Sequence, residues 1–218
     1  EAGENLEITS KSYLSLSDLA DLGTVMGNVY HTKEEMIDCV NAFYEGMIQR
    51  SEEMKRHPDY KTGENYAYLG LPPCFLIFDE YVAFFEMLGT KESVGLLSQL
   101  KKIVMLGRQA GYFLIVACQR PDAKYFSDGI RDNFNFRVGL GRISELGYGM
   151  LFGSDVKKQF FQKRIKGRGY CDVGTSVISE FYTPLVPKGH DFLQTIGSLA
   201  QARQDGTATC EAKGDGTD

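Results

Sequence analysis

Two stretches of the chain are apolar without any helical period. Cys74-Phe75-Leu76-Ile77-Phe78 follows Pro72-Pro73 and runs straight into Asp79-Glu80, and Gly111 through Cys118 runs into Gln119-Arg120-Pro121. Continuous apolar runs of this length predict strands buried on both faces, as in a parallel sheet covered by helices. Between them, Val94, Leu96, Leu97, Leu100, Ile103, Val104 and Leu106 recur at helical spacing within residues 93–110. The unit is therefore strand, helix, strand, with a right-handed crossover.

The same reading extends to the rest of the chain. Leu6 to Thr9 and residues 28–31 predict short strands. Thr32 with Glu35 three residues on is a capping box. It opens a helix running to about residue 57, with Met36, Ile37, Val40, Phe43, Tyr44, Met47 and Ile48 as its apolar stripe and Pro58 as its stop. Residues 59–71 are polar and rich in Gly and Tyr, a loop. A short helix is expected over 81–88, ended by Gly89, and Gly107-Arg108 is expected to close the long helix. A strand follows over 134–140, then a helix over 142–152 ended by Gly153. Residues 169–173 and 177–183, separated by Gly174-Thr175-Ser176, predict a hairpin-like antiparallel edge. A last helix is expected over 189–203.

Composition bounds these elements without identifying them. At 218 residues, 43% hydrophobic and 24% charged, the chain has the material for one large α/β domain. That domain is assigned to residues 1–203, with 204–218, rich in Gly, Asp and Thr, as a disordered tail. No run of about 18 apolar residues is present to form a membrane-spanning helix, and no signal-peptide pattern opens the chain. The net charge of −5 excludes a surface that is basic all over, though not a local basic patch. Cys39, Cys74, Cys118, Cys171 and Cys210 are odd in number and lack C-x-x-C spacing, so reduced thiols in a cytoplasmic protein fit better than disulfides or zinc.

Candidate chemistry collects at the strand ends. Acids at the carboxyl end of a buried parallel strand stand where α/β sheets bind ligands. A strand ending in Asp-Glu matches the Walker B pattern, in which Asp79 holds Mg²⁺ through water and Glu80 polarises the water that attacks ATP. The alternative is that Asp79 caps the next helix. Gln119, an amide at a neighbouring strand tip, is suited to hold that water or read a γ-phosphate, or else to fix its loop. Lys157, Lys158, Lys163, Arg164, Lys166 and Arg168 surround Phe160 and Phe161. Basic residues beside aromatics suit contact with a phosphate backbone, while a solvated helix whose two Phe dock on the core explains them as well.

The succession FLIFDE, LKKIVMLGRQAGYFLIVACQRP, IRDNFNFRVGLGRIS and KGRGYCDVG resembles the motor domain of the FtsK/SpoIIIE family of DNA translocases, most closely the coupling-type ATPases of conjugative transposons. The resemblance covers about residues 5–195. It implies a RecA-like P-loop NTPase core, a mostly parallel sheet flanked by helices with a small antiparallel edge, forming a hexameric homo-oligomeric ring around double-stranded DNA. It implies ATP and Mg²⁺ as cofactors, Asp79, Glu80 and Gln119 as their ligands and catalysts, and Lys163, Arg164, Lys166 and Arg168 as DNA contacts. Arg108 would reach the nucleotide of an adjacent subunit as an arginine finger; as a bare residue it equally suits a helix C-terminus. Conjugation or relaxosome proteins would be partners, and upstream helices would anchor the longer protein at the inner face of the membrane.

The sequence departs from the family in one respect. Asn5 to Ser12, NLEITSKS, is not a phosphate loop, because G-x-x-x-x-G-K-[ST] needs glycines where Asn5 and Ser10 stand. By resemblance it is the strand after that loop, with Lys11 matching the family's Asp-x-Lys lysine and residues 17–22 a short helix. The expectation is a chain lacking the first strand and phosphate loop of its domain, and inactive in this form. A non-hydrolysing assembly module, or another RecA-like helicase or secretion ATPase, is the alternative.

Overall fold

The computed structural model describes residues 6–9, 29–121, 124–126, 128–154, 156, 165–175 and 177–204. The elements are β1 (Leu6–Thr9), β2 (Val29–Tyr30), α1 (Lys33–Arg56), β3 (Cys74–Phe78), α2 (Tyr81–Glu86), α3 (Thr90–Ala110), β4 (Tyr112–Val116), α4 (Asp128–Arg131), β5 (Arg137–Leu140), α5 (Glu145–Phe152), β6 (Arg168–Asp172), β7 (Ile178–Tyr182) and α6 (Phe192–Gln204). A 3₁₀ turn, Tyr66–Leu69, interrupts the expected loop; Asn65 caps it by accepting from the Ala67 N–H at 3.0 Å.

β1 to β4 form a parallel sheet in the order β2-β1-β3-β4, with Cys74 to Phe78 paired residue for residue with Tyr112 to Val116. The strand–helix–strand reading therefore holds. β3 is the inner strand of this pair, and Leu76 and Phe78 are fully buried; burial of that kind is worth about 2 kcal/mol per side chain. β4 departs from the expectation of burial on both faces. It is the last strand of its sheet among the described residues, and Ile115 is 48% exposed.

The antiparallel strands are not an extension of that sheet. β5, β6 and β7 form a separate three-stranded sheet in that order. α5 covers it through Tyr148 and Phe152, which pack on Tyr170 and Ile178. The fold is thus α/β, with one parallel and one antiparallel sheet and flanking helices.

Local chemistry explains the element ends. Thr32 and Glu35 form the reciprocal capping box of α1, with the Glu35 N–H donating to Thr32 Oγ1 at 3.3 Å and the Thr32 N–H to Glu35 Oε2 at 3.2 Å. Gly89 does not terminate α2. It caps α3, its N–H donating to Glu92 Oε2 at 2.9 Å, so α3 begins at Thr90 rather than 93. Nor does Gly107-Arg108 end α3, which continues to Ala110 and stops at Gly111 in the left-handed region at φ 78°. Gly107 is a packing residue: a Cβ there would lie well inside 3.0 Å of the Tyr112 carbonyl oxygen. Ser144 caps α5 from the Gly147 N–H, so that helix starts at Glu145 rather than 142. β5 begins at Arg137 and α6 at Phe192, both later than expected.

α1 and α3 lie side by side on the parallel sheet. Met36, Val40, Phe43 and Met47 of α1 and Leu96, Leu100 and Ile103 of α3 form the main core with Leu76, Phe78, Tyr81 and Phe84. Lys33 and Glu92 tie the two helix starts at 3.0 Å. At the far end Arg50 donates to the Pro72 carbonyl at 2.7 Å and the Ala110 carbonyl at 3.4 Å, with its guanidinium 4.9 Å from the Tyr112 ring centroid. Cys39, Cys74, Cys118 and Cys171 are reduced, and three of them, Cys39, Cys74 and Cys171, are buried. No described helix is long and apolar enough to cross a membrane.

Lys11 and the short helix expected over 17–22, the basic residues Lys157, Lys158, Lys163 and Arg164, and the expected tail after Gln204 lie outside the described residues.

Candidate functional site at the parallel-sheet edge

Asp79 and Glu80 form the turn that leaves β3. Glu80 has φ 50° and ψ 41°, the only non-glycine residue with positive φ among those described. A side chain in that region is uncommon and costs about 1–3 kcal/mol, so its surroundings must hold it. They do: the Tyr81 N–H donates to the Ala117 carbonyl at 3.1 Å and the Ala117 N–H to the Phe78 carbonyl at 2.9 Å, extending the β3–β4 ladder through the turn. Beneath it, Tyr81 packs on Phe78, Phe85 and Phe126 at ring-centroid distances of 5.4, 4.8 and 4.7 Å and donates its hydroxyl to the Tyr125 carbonyl. Burial pushes the Tyr81 phenol well above its ordinary pKa, so it stays a neutral donor.

Gln119 arrives at the same edge from β4. Its Nε2 donates to Glu80 Oε1 at 3.5 Å, a long contact between an exposed amide and a partly exposed carboxylate. Cys118 lies between them in sequence, and its thiol is pushed up to about 11, first by burial and then by the Glu80 carboxylate. It is therefore a neutral thiol at physiological pH, not a nucleophile.

The helix-cap alternative for the acidic pair finds no support in the geometry, because the α2 N-terminus has no side-chain capping hydrogen bond and its N-cap residue is Glu80. No salt bridge among the described residues engages either carboxylate. Nor do the described residues include a cluster of three His, Cys, Asp or Glu able to cage a metal. Two adjacent strand-tip carboxylates fit Mg²⁺ as it is usually bound, through one or two carboxylates, waters and substrate phosphates.

Arg108 is not brought to this site. It is exposed in the last turn of α3, three residues before the Gly111 cap, and so stands beside the start of β4 while Gln119 follows its end. Lys166 is exposed in the turn before β6. Arg168 opens β6 with its guanidinium 4.9 Å from the Tyr182 ring centroid. Arg168 belongs to the second sheet and Lys166 to the turn that leads into it, whereas the acidic turn follows a strand of the first sheet.

Sequence reasoning missed a cavity of about 680 Å³ beside Gln119, between the end of β4 and β5 with α5. Arg120, Arg131, Arg137 and Arg142 line it, with no acidic residue, and Phe134, Phe136, Ile143 and Leu151 supply apolar wall. Arg137 is committed to the fold: it donates to the buried Asp172 carboxylate at 2.7 Å and to the Leu151 carbonyl at 3.3 Å. Arg120 was visible beside Gln119 in the sequence; the convergence of the other three was not.

No protein-family model matches the chain. An FtsK domain-containing protein of Bacillus subtilis, YdcQ, is 52% identical over 203 residues, which are 93% of this chain and 42% of that protein. The chain thus spans less than half the length of this curated relative. Among solved structures, EssC (ATPases 2 and 3) from Geobacillus thermodenitrificans superposes with a TM-score of 0.63 at 15% identity, over 94% of this chain and 38% of that one. The conjugation coupling protein TcpA of pCW3, solved as a monomer with ATPγS, gives 0.58 at 15% identity, over 81% of this chain and 51% of that one. These structures share the fold of P-loop ATPase domains. By close homology and by fold, the chain is an FtsK-type domain of RecA-like architecture.

Proposed function

We propose that this domain is the motor unit of an ATP-driven double-stranded DNA translocase, of the coupling type that serves conjugative transfer. The observation that carries this reading is the convergence of Asp79, Glu80 and Gln119 at the carboxyl edge of two adjacent parallel strands. Asp79 would hold Mg²⁺ through water, and the ion would supply charge neutralisation on the β- and γ-phosphates. Glu80 accepts the proton side of a water hydrogen bond and orients its lone pair for in-line attack. The Gln119 amide, within reach of Glu80, orients the same water or senses the γ-phosphate. Arg108, exposed at the other end of α3, serves a neighbouring subunit's nucleotide in a hexameric ring. Lys166 and Arg168, with Lys163 and Arg164, contact the DNA backbone. The motor works on the cytoplasmic side with conjugation or relaxosome proteins, tethered by helices elsewhere in the longer protein.

The sequence contains no G-x-x-x-x-G-K-[ST]. Phosphoryl transfer depends on positioning and charge stabilisation, which that loop and its lysine supply. The 218-residue chain is therefore proposed to bind ATP·Mg²⁺ weakly and turn it over at background rate. Calorimetric titration tests this. Binding in the millimolar range is expected for the chain as it stands and micromolar binding once a phosphate loop precedes it; micromolar binding with turnover by the 218 residues alone would overturn the assignment of NLEITSKS.

A further inference from the structure

The acidic turn and the strand end that carries Gln119 share one residue. Tyr81, the first residue of α2, directly follows the left-handed Glu80 and is 1% exposed. It bonds the chain on both sides of Gln119. Its backbone N–H donates to the Ala117 carbonyl at 3.1 Å, on the near side of the amide, and its hydroxyl donates to the Tyr125 carbonyl at 3.3 Å, on the far side. Rings reinforce the second anchor: Phe126 lies 4.7 Å from Tyr81 and Tyr125 lies 5.6 Å from Phe85, centroid to centroid. A phenylalanine at this position would make the same ring contacts, so packing alone does not require a hydroxyl. A buried hydroxyl is costly unless it is bonded, and this one ties the chain beyond Gln119 to the acidic turn.

We infer that Tyr81 is a positioning residue of the acidic site: by holding the chain at Ala117 and at Tyr125 it keeps the Gln119 amide within reach of Glu80. Three observations carry this. Gln119 is exposed and its own contact with Glu80 is long, 3.5 Å, so that contact does not fix the amide by itself. The β3–β4 pairing ends at Val116, and the last ladder bond is donated by the Ala117 N–H, so the sheet does not hold Gln119 either. The positive φ of Glu80 must be sustained by its neighbours, and the residue bonded next to it is the one that bonds both sides of Gln119. The orientation of the Glu80 and Gln119 side chains is thus referred to one buried residue. Its consequence for ATP hydrolysis rests on the function proposed above; the two anchoring bonds do not.

Tyr81→Phe tests this, because it removes the hydroxyl and keeps the ring. In the 218-residue chain, Cys118 reads the segment next to Gln119, and Cys39 and Cys74, buried in the main core, serve as internal controls. Timed alkylation should run about tenfold faster at Cys118 in the variant and be unchanged at Cys39 and Cys74. An unchanged Cys118, or all three cysteines speeding up together as a general loss of stability would produce, would overturn the inference. Turnover gives the second readout, in a form of the chain to which a phosphate loop has been joined. Tyr81→Phe should lower kcat about tenfold with KM for ATP nearly unchanged, and Gln119→Ala should cost less in that variant than in its parent, because both act through the same amide. An unchanged kcat, or two effects that multiply in full, would overturn the inference. A parent form that neither binds nor hydrolyses ATP would sink the functional reading alone, and the selective gain at Cys118 would still support the positioning.

Discussion

Gln119 Nε2 and Glu80 Oε1 stand 3.5 Å apart across the ends of two adjacent parallel strands. The contact joins a residue 39 positions away in sequence to a carboxylate held in the left-handed region. In-register pairing of β3 with β4 makes it possible: each strand has five residues, so the polar positions that follow emerge side by side. The extension of the ladder through Ala117 and Tyr81 then fixes how the Glu80 backbone turns.

Cys118 reports on that geometry. Burial and the Glu80 carboxylate both hold its thiol protonated, up to about 11. Because the thiolate is the reactive form, alkylation of Cys118 should climb steeply with pH across the range where an ordinary thiol has already levelled off. Glu80→Gln removes the second cause and not the first, so the midpoint should fall while staying above that of an exposed cysteine. Mass spectrometry of the Cys118 peptide after timed alkylation reads this directly, and a midpoint that ignores the substitution would separate Glu80 from Cys118.

Gly107→Ala pits two effects against each other. Alanine is favoured over glycine in a helix interior by about 1 kcal/mol. The new Cβ, however, meets the Tyr112 backbone carbonyl, which cannot swing aside as a side chain would. Overpacking of this kind costs about 1–3 kcal/mol, so net destabilisation is expected, seen as a lower urea midpoint with an unchanged slope.

The helix caps set an acid limit on stability. The Gly89 N–H, and after it Lys33, hold the Glu92 carboxyl below its ordinary value of 4.5, and the Thr32 side chain does so for Glu35. A group whose folded pKa is lowered stabilises the fold above its unfolded pKa, and that contribution is lost as pH falls through the folded value. Stability should therefore decline on acidification from about pH 5 downward. Glu92→Gln should flatten part of that decline by starting from lower stability near neutrality. Urea unfolding at several pH values shows it.

The elements of the main core were legible because each had a single physical reading. Cys74 to Phe78 has no polar position to place on a solvent face, and Thr32 with Glu35 can do little else than cap. The placement of Asp79, Glu80 and Gln119 at neighbouring strand ends was legible for the same reason, since they are the first polar groups after such runs. What escaped depends on contacts distant in sequence. The alternation around Arg137 marks a strand but not the sheet it joins, so the separate β5-β6-β7 sheet was hidden. Gly107 and Gly89 look alike as helix stops, yet one packs against Tyr112 and the other caps from the front. The positive φ at Glu80 has no sequence mark, since it follows from the ladder continuing past Phe78.

The central claim, that Glu80 is the water-polarising base of an ATP site, is tested most directly by ATP binding and turnover of Glu80→Gln in a form of the chain to which a phosphate loop has been joined. The substitution keeps the size of the side chain and its contact with Gln119 while removing the negative charge. Hydrolysis should fall by about 10²-fold or more with ATP affinity nearly unchanged, as for loss of a general base. Turnover equal to the parent's, measured at saturating ATP and Mg²⁺, would contradict the account and leave the acidic turn without a catalytic role.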